Sequence, residues 1–202
     1  MYKRQITLLA FDDDKGKTLV SLGADDRHMV AVHDVTSGYL LFMSSTTCRK
    51  PFDVAFGNFG SEIVIVGIKY VLFFTFIANH AATRHASASF GRIGRLGTIQ
   101  SYLSCAYLPN ATCVVGTADG HLYVFEGSSR ELAKSIKAHD GFIYSMDAPW
   151  HRAEQVRAIV LVTGARDGDI KLWNGALEII SKFDNRGAGP IRSVFTLSLI
   201  HI

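Results

Sequence analysis

From Ile63 through Ala118 the chain carries no aspartate and no glutamate. Other scarcities bound it as firmly. Three cysteines, Cys48, Cys105 and Cys113, share no regular spacing. An odd, sparse set excludes a disulfide framework and points to a reducing compartment. Cys105 and Cys113 fall on neighbouring predicted strands and read as two buried core thiols. No His/Cys cluster has metal-ligand spacing. The most apolar stretch, Ile63 to Ala78, is interrupted by Gly67 and Lys69 and falls short of the ~20 residues of a membrane helix. Lys3-Arg4 precedes a short apolar run that meets Asp12-Asp13-Asp14, too short and acidic for a secretory leader. No stretch reads as an amphipathic helix. With 48% apolar residues, 19% charged residues and four prolines, the chain is core-forming rather than disordered.

What is there is a repeat. Gly116-Thr117-Ala118-Asp119-Gly120-His121-Leu122-Tyr123-Val124-Phe125 recurs 48 residues later as Gly164-Ala165-Arg166-Asp167-Gly168-Asp169-Ile170-Lys171-Leu172-Trp173. Each copy ends an apolar run, turns on Asp-Gly and enters an alternating strand that closes on an aromatic ring. Weaker copies start at Gly67, which has lost the acidic turn, and at Gly23, which has Asp26 and ends in His33-Asp34. The four glycines are 44, 49 and 48 residues apart.

Within the last full unit, residues 142–146, 158–163, 169–173 and 177–183 read as four strands. The second is apolar throughout, as for a strand buried on both faces; the third alternates. Four short antiparallel strands per unit of about 40–50 residues describe a β-propeller blade. The expected fold is therefore all-β, with blades over roughly 6–50, 51–98, 99–140 and 141–190. Residues 191–202 would begin a fifth, and the chain reads as part of a longer, otherwise incomplete propeller.

The acid-free span holds Lys69, Arg84, Arg92 and Arg95, so it carries +4 against −1 for the rest of the chain. Most of this charge lies in a long predicted connection, roughly Asn79 to Gly97, which also holds His80 and His85. Arg84, Arg92 and Arg95 form a candidate basic loop for an acidic partner. Its glycines, Gly91, Gly94 and Gly97, suggest a phosphate cradle. That needs a helix and a following Lys-Ser/Thr, and Thr98-Ile99-Gln100 leads into a strand instead. The segment reads as a flexible link between blades.

One constellation invites chemistry. His139 precedes the first strand of the fourth unit, Thr163 ends the second, Asp167 lies in the turn and Trp173 closes the third. The four resemble the hydrogen-bonded His–Ser/Thr–Asp–Trp tetrad of WD-repeat proteins. A catalytic triad would need an exposed hydroxyl beside an oxyanion site, and Thr163 ends a buried strand. The other units lack the set. The third has Val115 and Phe125 at the hydroxyl and tryptophan positions, so it is expected to keep the turn without the network. The second has Phe74 and no acidic turn.

Finer motifs run in order along the chain: Lys50-Pro51-Phe52-Asp53-Val54-Ala55-Phe56, then Gly67-Ile68-Lys69-Tyr70-Val71-Leu72-Phe73-Phe74-Thr75, then Phe90-Gly91-Arg92-Ile93-Gly94. Ala138-His139-Asp140-Gly141-Phe142-Ile143-Tyr144-Ser145-Met146 and Gly189-Pro190-Ile191-Arg192-Ser193-Val194 follow. Together they resemble the echinoderm microtubule-associated protein-like family, with Phe74 where that family has Trp. Its hydrophobic tubulin-contacting motif is not recognisable here. The resemblance implies a non-enzymatic cytoskeletal protein of the cytoplasm that binds tubulin or microtubules. It implies no cofactor, metal, nucleic acid, membrane or small-molecule substrate. A general WD-repeat scaffold for another complex is the alternative, and an enzyme using the propeller channel is a third.

Overall fold

The computed structural model describes residues 5–12, 16–57, 61–76, 86–127, 129–149, 159–185, 187 and 189–196. Among the described residues, sixteen strands form four antiparallel sheets, each a meander of consecutive strands. The first sheet is β1 (Ile6–Phe11), β2 (Thr18–Gly23), β3 (Met29–Asp34) and β4 (Leu40–Ser45). The second is β5 (Pro51–Phe56), β6 (Glu62–Gly67), β7 (Tyr70–Phe76) and β8 (Ala86–Phe90). The third is β9 (Tyr102–Tyr107), β10 (Cys113–Thr117), β11 (His121–Phe125) and β12 (Leu132–Lys137). The fourth is β13 (Ile143–Asp147), β14 (Leu161–Ala165), β15 (Asp169–Trp173) and β16 (Ile179–Asp184). The first strands adjoin one another: β1 contacts β5, β5 contacts β9, and β9 contacts β13. This is a stack of propeller blades.

The stacking follows from period-2 alternation in the middle strands. Ile63 and Ile65 of β6, with Tyr70, Leu72, Phe74 and Phe76 of β7, enter a cluster shared with the first blade. Val64, Val66, Val71 and Phe73, from the same two strands, enter a cluster shared with the third. The third blade divides likewise. Val115, Tyr123 and Phe125 face the second blade, while Val114, Leu122 and Val124 face the fourth, against Leu161 and Trp173. Phe42 stacks on Phe76 at 5.8 Å, and Phe73 meets Phe125 edge-on at 5.7 Å. A Cβ on Gly116 would lie 2.9 Å from Ile143 Cγ2, and one on Gly164 would lie 2.4 Å from Ile191 Cγ2. Ile191 thus sits on the fourth blade as Ile143, 48 residues earlier, sits on the third. Val194 N–H donates to Ser145 Oγ at 3.1 Å, so residues 191–196 run beside β13 in the place of a further first strand.

Two expectations need correcting. The predicted connection from Asn79 to Gly97 contains a strand: Ala86–Phe90 pairs with β7 from Phe76↔Ala86 to Leu72↔Phe90. Its sequence, Ala-Ser-Ala-Ser-Phe, carries almost no hydrophobic contrast, so it hides from any periodicity. The second concerns Gly91–Gly97, which is a packed strap rather than a flexible link. Arg92 N–H donates to Arg130 O at 2.7 Å and Leu132 N–H donates to Arg92 O at 2.9 Å. Cβ atoms on Gly91 and Gly97 would approach Phe125 and Tyr123 to 3.0 and 2.6 Å. Gly94, at φ +59°, makes the bend between them. The glycines here serve close approach as well as turning.

One polar clamp crosses the interface of the second and third blades. Arg130 forks onto Glu62, with Nη1 at 2.9 Å from Oε1 and Nη2 on Oε2, and Tyr107 donates its hydroxyl to the same carboxylate. Arg130 Cζ lies 4.6 Å from the centre of the Phe73 ring. Both charged side chains are largely covered, at 16% and 18% exposure, so removing one strands the other. Arg130→Ala is expected to cost about 2 kcal/mol in urea unfolding, somewhat below a fully buried pair. Arg130→Lys should recover less than half of that, because an ammonium cannot fork. A wild-type midpoint for Arg130→Ala would contradict the clamp.

Candidate functional site

The Asp-Gly turns of the third and fourth blades have one geometry. Gly120 N–H donates to Thr117 O and Gly168 N–H donates to Ala165 O, with the glycines at φ +85° and +83°. A left-handed glycine after a type I turn lets two strands meet with their natural twist. In the third blade the turn also receives the next connection, since Gly120 O accepts the N–H groups of Ala138 and His139, both at 2.9 Å. A Cβ on Gly120 would lie 2.0 Å from His139 O.

That contact delivers His139 to the fourth blade. Its Nδ1 lies 3.1 and 3.2 Å from the Asp167 carboxylate oxygens, and its Nε2 lies 2.8 Å from Thr163 Oγ1. Trp173 Nε1–H donates to the same hydroxyl at 2.9 Å. Asp167 further accepts the N–H groups of Asp140 at 2.9 Å and Asp169 at 3.0 Å. The structure therefore brings together all four residues of the tetrad named from sequence. Donor and acceptor counting assigns the protons. Nδ1–H donates to Asp167, Thr163 donates to Nε2, and Thr163 accepts from Trp173. Burial holds the His139 imidazole below its ordinary pKa despite the Asp167 charge beside it. Asp167 pays a burial cost too, yet the N–H groups of Asp140 and Asp169, and His139, hold its carboxyl below the usual range. A neutral His and an ionised Asp fit that assignment.

A nucleophilic role does not fit this geometry. Thr163 is 0% exposed, and its hydroxyl is already both donor and acceptor. His139, Asp167 and Asp169 also bring ligand-type atoms within 4.8 Å of one another. Both His139 nitrogens are engaged, however, and Lys182 Nζ sits 2.8 Å from Asp169 Oδ2. The cluster is a hydrogen-bond and ion-pair network.

The third blade departs from expectation. It lacks the tetrad but has a network of its own. Thr117 Oγ1 donates to Asp119 Oδ1 at 2.6 Å, and Gln100 Oε1 accepts from Asp119 N–H at 2.9 Å. Gln100 Nε2 reaches Thr98 Oγ1 at 3.2 Å, and Thr98 N–H donates to Tyr123 OH at 2.7 Å. Thr98 and Gln100 do in this blade what His139 does in the next. In the first blade the capping acid is Asp25 rather than Asp26: Oδ1 accepts Arg27 N–H at 2.9 Å, while Asp26 is exposed. Asp34 of the His33-Asp34 pair caps the following turn, accepting Ser37 N–H at 2.7 Å.

Of the candidate basic loop, Arg84 lies outside the described residues. Arg92 and Arg95 are exposed on the strap. Arg92 pairs with Glu131 at 3.2 Å and donates to Ser129 O at 2.9 Å. Arg95 and Lys69 meet no carboxylate among the described residues. Cys105 and Cys113 are both buried and free, and burial raises both thiols.

A group that sequence reasoning passed over is Asp53 on β5. Its carboxylate accepts the N–H groups of Cys105, on the neighbouring blade, and Val54, both at 2.9 Å. Burial pushes its pKa up to about 6 against those two bonds.

The family description "WD domain, G-beta repeat" matches residues 130–174. The match begins just before β12, the last strand of the third blade, and ends just after β15. The sequence repeat is thus one strand out of phase with the blade, and His139 lies inside the joint. The chain carries a WD repeat, the unit of propeller scaffolds.

Two pH responses of opposite sign are expected. Unfolded His139 takes a proton near pH ~6.5 and unfolded Asp167 near ~3.9, both above their folded values. The tetrad's stabilisation is therefore complete above pH ~6.5 and falls as the pH drops, with a second loss below ~4. Asp167→Ala should lower neutral-pH stability by about 2 kcal/mol and remove the loss below pH ~4 in thermal melts, while the His139 limb persists because burial alone holds that imidazole down. Unchanged melting would contradict the assignment. Asp53 runs the other way, because its folded pKa is raised. Its contribution is complete below pH ~3.9 and lost as the pH rises through about 6. Asp53→Asn should remove this pH dependence between pH ~4 and ~7.5, while leaving one of the two backbone N–H groups without its acceptor.

Proposed function

We propose that this chain is a non-enzymatic interaction scaffold, and that its partner is the microtubule. The observation that carries the scaffold reading is the fate of the tetrad. Its hydroxyl, imidazole and carboxylate are spent on one another and on backbone N–H groups. Chemistry with solvent is left to the loops, the usual seat of recognition on a rigid β scaffold. The microtubule reading draws on the family resemblance of the ordered motifs. The strap supports it with exposed Arg95 on a fixed backbone, which suits an acidic partner; Arg92 could join only by giving up Glu131.

Co-sedimentation with microtubules is the test, before and after proteolytic removal of tubulin's acidic tails. Pelleting should fall several-fold on tail removal and in the triple variant Arg84→Ala/Arg92→Ala/Arg95→Ala. Equal pelleting of that variant removes the basic loop from the contact. Absence of pelleting by the wild type favours the second reading, a general scaffold for another protein complex. That reading is supported by the WD match at residues 130–174, which specifies an interaction module and no partner. Affinity purification would then recover an unrelated complex in place of tubulin.

A further inference from the structure

Where the strap crosses from the second blade to the third, it borders an open cleft of about 320 Å³ lined by Lys69, Val71, Phe90, Ile93, Ile99 and Tyr102, among others. We propose that this cleft is a docking site for an acidic peptide segment that inserts one apolar side chain. The proposal rests on the interaction-scaffold reading and names the chemistry of the ligand.

Three features converge on it. The first is apolar exposure held in place. Phe90 is 58% exposed and Ile99 69%, and both line one opening. Scattered exposed apolar residues need no explanation, whereas a rimmed group around a concavity marks a binding surface. The volume lies at the small end of the range for ligand pockets and has room for a large apolar side chain.

The second is rigidity. The strap is pinned by backbone bonds at Arg92 and Leu132 and by the close approaches of Gly91 and Gly97. Thr98 N–H is tied to Tyr123 OH at 2.7 Å just before Ile99. The rim therefore cannot collapse to bury its own apolar groups, and a preformed cleft spares a ligand the cost of ordering it.

The third is charge. The cleft lining has no carboxylate. Glu131, beside the strap, is already held by Arg92. Lys69, on a left-handed turn at φ +66°, lines the opening, and Arg95 lies on the exposed bend of the strap next to Gly94 and Leu96. Neither meets a carboxylate among the described residues. An apolar hole with unneutralised cations and no acid in its lining complements a ligand with one buried apolar side chain and flanking carboxylates.

The experiment is fluorescence anisotropy with labelled nonapeptides and the full chain. The probe has glutamates around a central phenylalanine. One control replaces the phenylalanine with alanine, and a second replaces the glutamates with lysines. The probe should bind, and both controls should lose at least ten-fold in affinity. Ile99→Glu and Arg95→Glu alter exposed positions and should each weaken the probe at least ten-fold with unchanged melting. Equal binding of the phenylalanine and alanine peptides overturns the proposal, as does wild-type affinity in Ile99→Glu. Microtubule pelleting separates this result from the microtubule reading. Pelleting without probe binding overturns the cleft and leaves that reading standing. Probe binding without pelleting keeps the cleft and removes it.

Discussion

Every blade here is a four-stranded sheet too small to bury two faces by itself, and that constraint governs the rest. The middle strands must be apolar on both sides, so β6 and β7 send alternate residues into two different clusters. They must also lie close to their neighbours, which forbids side chains where a first strand crosses. Gly116 and Gly164 meet that need against Ile143 and Ile191. The glycines that mark the other copies answer to different neighbours. A Cβ on Gly67 would strike Lys50 O at 2.5 Å and the Tyr70 ring, and one on Gly23 would strike the Asp25 carboxylate. One residue type recurs at one period, and the steric reason changes from blade to blade.

The second constraint is satisfaction of backbone polar groups where the chain leaves one blade for the next. The joints solve it with different side chains. His139 and Asp167 do it in the fourth blade, and Thr98, Gln100 and Asp119 in the third. Asp25 closes a single turn in the first. Because a shared geometry is met by unlike chemistry, the tetrad is one solution among several. Its members are tied to the preceding blade through Gly120 O, so the network serves an interface as well as a sheet.

These facts explain what was legible in the residues. The repeat, the strands buried on both faces and the tetrad were readable, because each leaves its pattern within one unit of sequence. β8 was not, since Ala-Ser-Ala-Ser-Phe is a strand by virtue of the edge it completes. The Arg130–Glu62 clamp joins positions 68 residues apart and leaves no local pattern. Gln100 escaped because amide side chains have no fixed place in the repeat. The strap's three glycines were visible, but glycine spacing alone cannot separate freedom to move from need for close approach. The bonds of Arg92 and Leu132, and the ring of Tyr123, decide it.

Charge along the chain and charge on the surface also part company here. The span from Ile63 to Ala118 holds no acid, yet Arg92 is neutralised by Glu131, which belongs to another part of the chain and arrives through the parallel bridge between the two residues. The same bridge leaves Lys69 and Arg95 without such a partner among the described residues. A run of four cations thus becomes one paired arginine, Lys69 in the lining of the cleft and Arg95 on the exposed bend of the strap, with Arg84 outside the described residues. Strand register, more than composition, determines which charges a partner meets. Lys69, Arg95 and the exposed Phe90 and Ile99 are what this part of the surface presents to solvent.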